Sequence, residues 1–429
     1  MPSEPDDSGM DQFVAEARAF LDANATRRAR TSDEVVWGEG EDRITYFSTD
    51  PPEVEAAKVA AAKAWQKVRY DNGFGWITGP SEFGGRGLSS LHDLVYDGLE
   101  AEYDVPDTAV LSLIGLGMIG PTILAHGTEE LQKRYLPAMY AGDIIACQLF
   151  SEPGAGSDLA GLTTRAVRDG DGWLLNGQKV WTSVAHHAAI GLALCRTDPD
   201  KPKHKGITAF VVDMSAPGVD IRPLRQMSGG AEFNEVFLTD VHVPDDHRLG
   251  PVDGGWGVAL TTLMNERASV GGEGAGAAGR AVGLPFLTEL LRANGRLDDA
   301  AVRRRLAELF ADQSATEYLN HQALRRFRAG EQPGPEASVS KLMYAQNLTR
   351  GAHFAAEVIG PRLVADTGEW GTFSWTELLL ATPALRILGG TEEIMKNILA
   401  ERVLGLPKEP SIDNKSPFRE LRRSGRAEA

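Results

Sequence analysis

Four short segments carry residue types that could do chemistry. The most informative is Leu149-Phe-Ser-Glu-Pro-Gly-Ala-Gly-Ser-Asp158. One proline and two glycines make a tight loop whose backbone N–H groups can face an anion or a ring. Ser151 and Ser157 add small hydroxyl donors. Taken alone, the run serves equally well as a turn joining a helix to a strand. The second segment is Asn176-Gly-Gln-Lys-Val-Trp-Thr-Ser183. Trp181 could cover the face of a planar cofactor while Thr182 donates to it, although a strand tryptophan also suits a core. The third runs through Phe233-Asn-Glu-Val-Phe-Leu-Thr-Asp-Val-His-Val-Pro244 and Gly254-Gly-Trp256 to Met264-Asn-Glu-Arg267. The fourth is Ile387-Leu-Gly-Gly-Thr-Glu-Glu-Ile394, followed by Ala400-Glu-Arg402 and Leu404-Gly-Leu-Pro407.

Other candidates have simpler readings. His186-His187 suits a structural or exposed loop pair. Arg303-Arg-Arg305 and Arg325-Arg326 read as solvated faces. Gly271 to Gly279 lacks the strand–turn–helix setting of a dinucleotide loop and reads as close helix packing or a kink.

The elements that must position these segments fall into three zones. Residues 10 to 145 read as helical: Phe13, Ala17, Phe20 and Leu21 recur at helix spacing, as do Val54, Val59, Trp65 and Val68 after Asp50-Pro51-Pro52. From 146 to 250 the period changes. Asp169-Gly-Asp-Gly172 makes a turn, and Asn176-Gly177 is a two-residue hairpin signal. The runs Ile190 to Cys195, Ile207 to Val212 and Phe233 to Val243 are rich in strand formers. Short strands with tight turns suggest a small barrel or a sandwich. From 251 to 410 the pattern is helical again, with Leu306, Leu309 and Phe310 placed on one apolar side. Residues 411–429 read as a fraying, flexible tail.

Composition bounds the function. A chain of 429 residues with 42% apolar and 24% charged residues is globular and long enough for several domains. A net charge of −16 opposes binding to nucleic acid or anionic membranes. The two cysteines, Cys147 and Cys195, cannot staple a chain of this size and make no metal cluster. The N-terminal residues resemble no secretory or transit signal. The uncharged run Ala109 to Ala125 holds Gly115, Gly117, Gly120 and Pro121 and is short for a span, so it reads as a buried helix and its turn. A soluble, cytoplasmic protein in a reducing compartment is expected.

The order Gly75-Trp76, Glu82-Phe-Gly-Gly-Arg-Gly87, His126-Gly-Thr-Glu-Glu130, Ser151 to Asp158, Trp181-Thr-Ser183 and Gly389-Gly-Thr391 resembles the acyl-CoA dehydrogenase family over residues 70 to 408. The resemblance implies a mostly α fold with a central β domain: an N-terminal helical domain, a middle β-barrel and a C-terminal four-helix bundle. It implies FAD, an acyl-CoA thioester desaturated between Cα and Cβ, and electron-transfer flavoprotein as acceptor. Gln148, Leu149, Phe150, Ser151, Ser157, Trp181, Thr182, Ser183, Thr391 and Glu393 match cofactor positions. Ser157, Arg267 and Gly389 match substrate positions. Many members place the catalytic glutamate where this chain has Gly389, which has no side chain to act as a base. A minority, resembling isovaleryl- and long-chain-specific types, carry it on a third-domain helix, where the matching residue is Glu266. Phosphate binding in so acidic a chain then falls to local donors: the loop amides, Ser157, Arg267 and arginines of the third domain or a neighbouring subunit.

Two positions depart from the family pattern. The Arg-x-x-Phe-Gly run that reaches a neighbour's FAD is missing, with Arg292 and Arg296 as possible stand-ins. A glutamine before a glycine pair reads Glu357-Val-Ile-Gly-Pro361. A homodimer or homotetramer thus competes with a heterotetramer containing a related chain. The alternatives to a full dehydrogenase are a non-catalytic or half-catalytic assembly subunit, or a flavin oxidase or monooxygenase on the same scaffold.

Overall fold

The computed structural model describes residues 7–28, 37–39, 44, 46–272, 281–328, 334–408, 410, 413 and 415–421; for 7–8, 267–272, 324 and 327–328 it describes the backbone alone. The glycine-rich run at 273–279 lies outside the described residues.

The N-terminal part is helical. Helix α1 (Asp7–Asn24) buries Phe13, Ala17, Phe20 and Leu21, the stripe expected from their spacing. Helix α2 (Pro52–Asp71) starts at Pro52, where a missing N–H costs nothing. Then come α3 (Ser90–Glu100), α4 (Ala109–Leu111), α5 (Gly120–His126) and α6 (Glu129–Tyr140). A π-helical turn, Ser112–Ile119, joins α4 to α5. The apolar run Ala109–His126 is long and apolar enough to cross a membrane by composition, and 39% of it is buried inside the protein. Ile119 and Ile123 are buried, and Tyr140 Oη donates to Leu116 O at 3.0 Å. A two-stranded ladder pairs β1 (Thr26–Arg27) with β2 (Tyr103–Asp104).

The central sheet contains β3 (Ala146–Leu149), β4 (Arg165–Asp169), β5 (Gly172–Ser183), β6 (Ile190–Arg196), β7 (Ile207–Asp213), β8 (Val219–Leu224), β9 (Phe233–Pro244) and β10 (Arg248–Leu249). Strand order is β10-β7-β6-β4-β5-β9-β8, with β3 pairing parallel to β6. β5 and β7 are not sheet neighbours, yet Trp173 and Phe210 bring their rings within 5.4 Å. The sheet therefore curls around one core, which also holds Leu149, Leu175, Val236 and both free, buried cysteines.

The third part comprises α7 (Gly255–Gly272), α8 (Leu284–Ala293), α9 (Ala300–Arg328), α10 (Ser338–Ile359), α11 (Ser374–Leu385) and α12 (Glu392–Ile398). Leu287, Leu291, Leu306, Leu348, Trp375 and Leu378 form its core. A further core spans the parts: Ile123 and Leu136, Phe150 and Leu159, Leu192, and Val258 on α7.

Three expectations change. Asn176-Gly177 is not a hairpin turn: it lies inside β5 at a register shift. A Cβ on Gly177 would stand 2.3 Å from Thr164 Oγ1, so glycine is there for close approach. The turn is Asp169-Gly170-Asp171, with Gly170 at φ +58. Phe310 is 47% exposed, while Val302, Leu306 and Leu309 are buried, so the apolar stripe of α9 is narrower than expected. The tail docks over 415–421: Phe418 is buried beneath the Arg196 guanidinium, 3.8 Å from its ring centroid. Phe418 N also donates to Lys201 O at 2.9 Å.

Candidate active site

The loop at Ser151–Asp158 is fastened to β5 by a buried ion pair. Lys179 Nζ donates to Glu152 Oε1 at 2.9 Å and to Phe150 O at 3.0 Å. Thr163 N, Thr163 Oγ1 and Thr164 N give Glu152 three more hydrogen bonds of 2.7–2.8 Å. Burial alone would raise the Glu152 carboxyl; the Lys179 charge and these donors hold it down at about 2. Glu152 and Ala155 exchange backbone bonds of 3.0 Å across the Pro153-Gly154 turn, and Val180 N donates to Ser151 O at 2.9 Å. Lys203 ties Asp158, at the far end of the loop, with contacts of 2.9 and 3.0 Å. Ser151 is half-buried and Ser157 is exposed on the fastened loop.

Directly after Lys179, β5 loses register with β9. Trp181 sits there at φ +59, a left-handed conformation that a bulky residue adopts only under constraint. Its ring is 60% exposed and meets Phe233 edge-on at 5.9 Å. A large indole held open beside a hydroxyl-bearing loop fits a planar ring such as a flavin. Ser183 is half-buried on the same strand. Thr182 is wholly enclosed, its hydroxyl has no partner within the protein, and its carbonyl accepts from Asn234 Nδ2 at 3.1 Å. Leu149 is likewise enclosed in the sheet core, and Phe150 is buried. The side chains of Leu149, Phe150 and Thr182 are buried, while Gln148 is half-buried.

Glu266 and Gly389 meet. A Cβ on Gly389 would stand 3.3 Å from Glu266 Oε1, so the carboxylate of α7 reaches the place where residue 389 has no side chain. Gly389 and Gly390 both take left-handed conformations, φ +63 and +93. Thr391 caps α12, its hydroxyl accepting from Ile394 N at 3.2 Å. Glu392 is buried and bidentate to Arg386 at 2.9 and 3.0 Å, whereas Glu393 is exposed. The side chain of Arg267 lies outside the described residues.

Three lysine and glutamate roles escaped sequence reading. Lys179 and Glu152 hold the loop, and Lys341 packs behind Gly389, with its Cε 3.9 Å from the Cβ position. A lone charge in an apolar strand, as in Lys179-Val-Trp181, was the available signal. His186 and His187 both approach Glu55 Oε1, at 3.0 and 3.1 Å, so the pair is structural, joining the sheet to α2. Among the arginines, Arg305 is bidentate to Glu357, Arg326 pairs with Glu336, and Arg292 and Arg296 pair with Glu289 and Asp299.

The succession of helical, sheet and helical parts matches known proteins. Family models for the acyl-CoA dehydrogenase N-terminal, middle and C-terminal domains match residues 48–143, 147–241 and 253–404. The chain belongs to the acyl-CoA dehydrogenase family, whose members are oxidoreductases and in general FAD-dependent. Acyl-CoA dehydrogenase FadE34 of Mycobacterium tuberculosis is 43% identical over 365 residues, 83% of this chain. The chain spans about half of that relative, 48% of its length. Acyl-CoA dehydrogenase IpdE1 of the same organism is 40% identical over 354 residues, covering 81% of this chain and 88% of the relative. Among solved structures, the Tcur3481-Tcur3483 steroid ACAD aligns with a TM-score of 0.72 at 27% identity, over 95% of this chain and 99% of that one. The ChsE4-ChsE5 complex from Mycobacterium tuberculosis aligns at 0.67 and 25% identity, over 95% and 100%.

Proposed function

We propose that this chain is an FAD-dependent dehydrogenase that oxidises an acyl-CoA thioester to its trans-2-enoyl-CoA, with Glu266 as the base. The observation that carries the reading is the Glu266 carboxylate standing 3.3 Å from the Cβ position of Gly389. The two sites at which a base is expected thus converge on one point in space, and only Glu266 supplies a carboxylate there.

A proton next to a thioester carbonyl is weakly acidic, so the site needs a positioned carboxylate and donors to the carbonyl oxygen. Glu266 removes the α-proton and ends protonated; the released electron pair forms the Cα–Cβ double bond as the β-hydrogen leaves with its electrons. Bound FAD supplies the hydride acceptor. Trp181 offers its open ring as a wall, and Ser151, Ser157 and Ser183 offer hydroxyls. Thr391 already accepts from Ile394 N, which leaves its O–H hydrogen to donate. Arg267, next to Glu266, is assigned to the CoA arm, and electron-transfer flavoprotein to reoxidation, on family likeness.

Two further observations support a bulky, ring-bearing acyl group. The Tcur3481-Tcur3483 relative is described as a steroid ACAD. Met264 on α7 and Ile387 ahead of the Gly389-Gly390 turn are exposed apolar side chains on the two segments that carry the site, 62% and 64% exposed. A heteromeric assembly is the second reading. The ChsE4-ChsE5 relative is a complex of two named chains. Here Glu357 is engaged by Arg305.

The test is Glu266→Gln, purified with FAD and assayed on linear, branched and ring-bearing acyl-CoA thioesters with an artificial acceptor. Turnover should fall by about 10²–10⁴-fold with FAD content unchanged. Undiminished turnover with FAD bound would sink the assignment. FAD content near one per chain in the protein purified alone would count against a purely assembling subunit.

A further inference from the structure

A buried lysine stands behind Glu266 and Gly389, outside the chemistry proposed above. Lys341, on α10, is 7% exposed. Its Nζ donates to Leu385 O at 3.0 Å, at the end of α11, and to Gly390 O at 2.7 Å. Gly389 and Gly390 form a turn with two successive left-handed residues and no side chains. Glu392 N closes the turn on Arg386 O at 3.1 Å, and Lys341 adds a donor from outside to its Gly390 carbonyl. The Cβ position of Gly389 lies 3.9 Å from Lys341 Cε and 3.3 Å from Glu266 Oε1, which places lysine, turn and carboxylate in one cluster.

Among the described residues, the carboxylates around Lys341 come from two elements. Glu266 faces it from α7, and Glu392 and Glu393 face it from α12. Glu392 is matched by the bidentate Arg386, with Lys396 at 3.9 Å. Burial lowers the pKa of the Lys341 ammonium, and Glu392, Glu266 and Glu393 oppose this; two of its three protons donate to carbonyls, and a cation near a carboxylate favours the ionised form.

We infer that Lys341 is a positioning residue: it clamps the Gly389-Gly390 turn and sets a positive charge beside Glu266, which keeps that carboxylate placed and ionised for proton abstraction. The inference rests on Glu266 being the base, and its test separates the two. Difference infrared titration of the FAD-loaded protein, wild type minus Glu266→Gln, isolates the Glu266 carboxyl band without any substrate. The same difference is then taken on a Lys341→Met background. Loss of the charge should move the midpoint up by about one pH unit or more. The acid limb of kcat/KM, for the best thioester of the panel, should move in the same direction. Lys341→Arg should restore most of the shift. Lys341→Gln keeps donors for the carbonyls without the charge and carries the comparison if Lys341→Met does not fold. A midpoint unmoved in a folded, FAD-loaded Lys341→Met or Lys341→Gln protein overturns the inference, even if Glu266→Gln is inactive. Turnover surviving Glu266→Gln removes the base assignment instead.

Discussion

At the scale of single residues, the proposed base turns on Gly389, which has no side chain and stands against Glu266. That residue 389 is a glycine is plain from the sequence; only space shows the Glu266 carboxylate beside it. The space is narrow. A methyl group on residue 389 would meet Glu266 Oε1 at 3.3 Å, tighter than a relaxed contact, and would sit at φ +63. Gly389→Ala should lower stability by about 1 kcal/mol through the left-handed backbone. It should also cut kcat by roughly ten- to a hundredfold by displacing the carboxylate. Denaturant unfolding and steady-state kinetics on the FAD-loaded protein measure the two separately. An unchanged kcat would mean that the carboxylate does not work from this position.

At the scale of elements, β5 organises the site. The strand carries Lys179 inward and Trp181 outward, and the register shift between them is what turns the indole to the open side. Strand propensity and the Trp181-Thr-Ser183 motif are legible in sequence. The bulge is not, because Asn176-Gly177 has the chemistry of a turn and becomes an irregular strand position only when Thr164 packs against it. The burial of Thr182 is not legible for the same reason, since the side a residue faces depends on register. Removing Lys179 leaves Glu152 as an uncompensated buried charge. Lys179→Met should therefore destabilise by about 3–5 kcal/mol and loosen FAD, and adding Glu152→Gln should recover part of the loss. Urea unfolding of the single and double variants checks this; equal stability of wild type and Lys179→Met would rule out the staple. The depressed Glu152 carboxyl contributes stability that is present above its ordinary 4.5 and lost as pH falls through about 2.

At the scale of the whole molecule, the segment around residues 46–50 holds the parts together. Phe47 stacks edge-on against Phe233 of the sheet at 5.4 Å, and Tyr46 hydrogen bonds Tyr344 on α10. Ser48 N donates to Glu232 Oε1. Burial raises the Glu232 carboxyl to about 7, the Ser48 bond opposes this, and the nearby Glu55 and Asp50 add to it. The folded chain thus binds a proton that the unfolded chain releases near 4.5. The stability this provides is complete below 4.5 and is lost as pH rises through about 7. Glu232→Gln should flatten that slope and make the protein more stable at pH 8, by up to about 3 kcal/mol. Thermal melts of both proteins from pH 5 to pH 8 show the slope; parallel curves would exclude Glu232 as its source.

The sequence by itself determined the order of helical, sheet and helical parts, the stripe on α1, the start of α2, the strands β6, β7 and β9, and the family motifs. These are local properties, set by side-chain period, proline and turn chemistry within a few residues. It also pointed to Glu266, through an absence at Gly389. The tertiary structure decided everything that depends on two distant segments sharing a volume. It brought Glu266 to the empty place at Gly389 and put Lys341 behind both. It paired Lys179 with Glu152, turned Thr182 inward and docked Phe418 under Arg196. Burial and charge pairing are properties of packed space, and a linear pattern does not state which charges will be enclosed together.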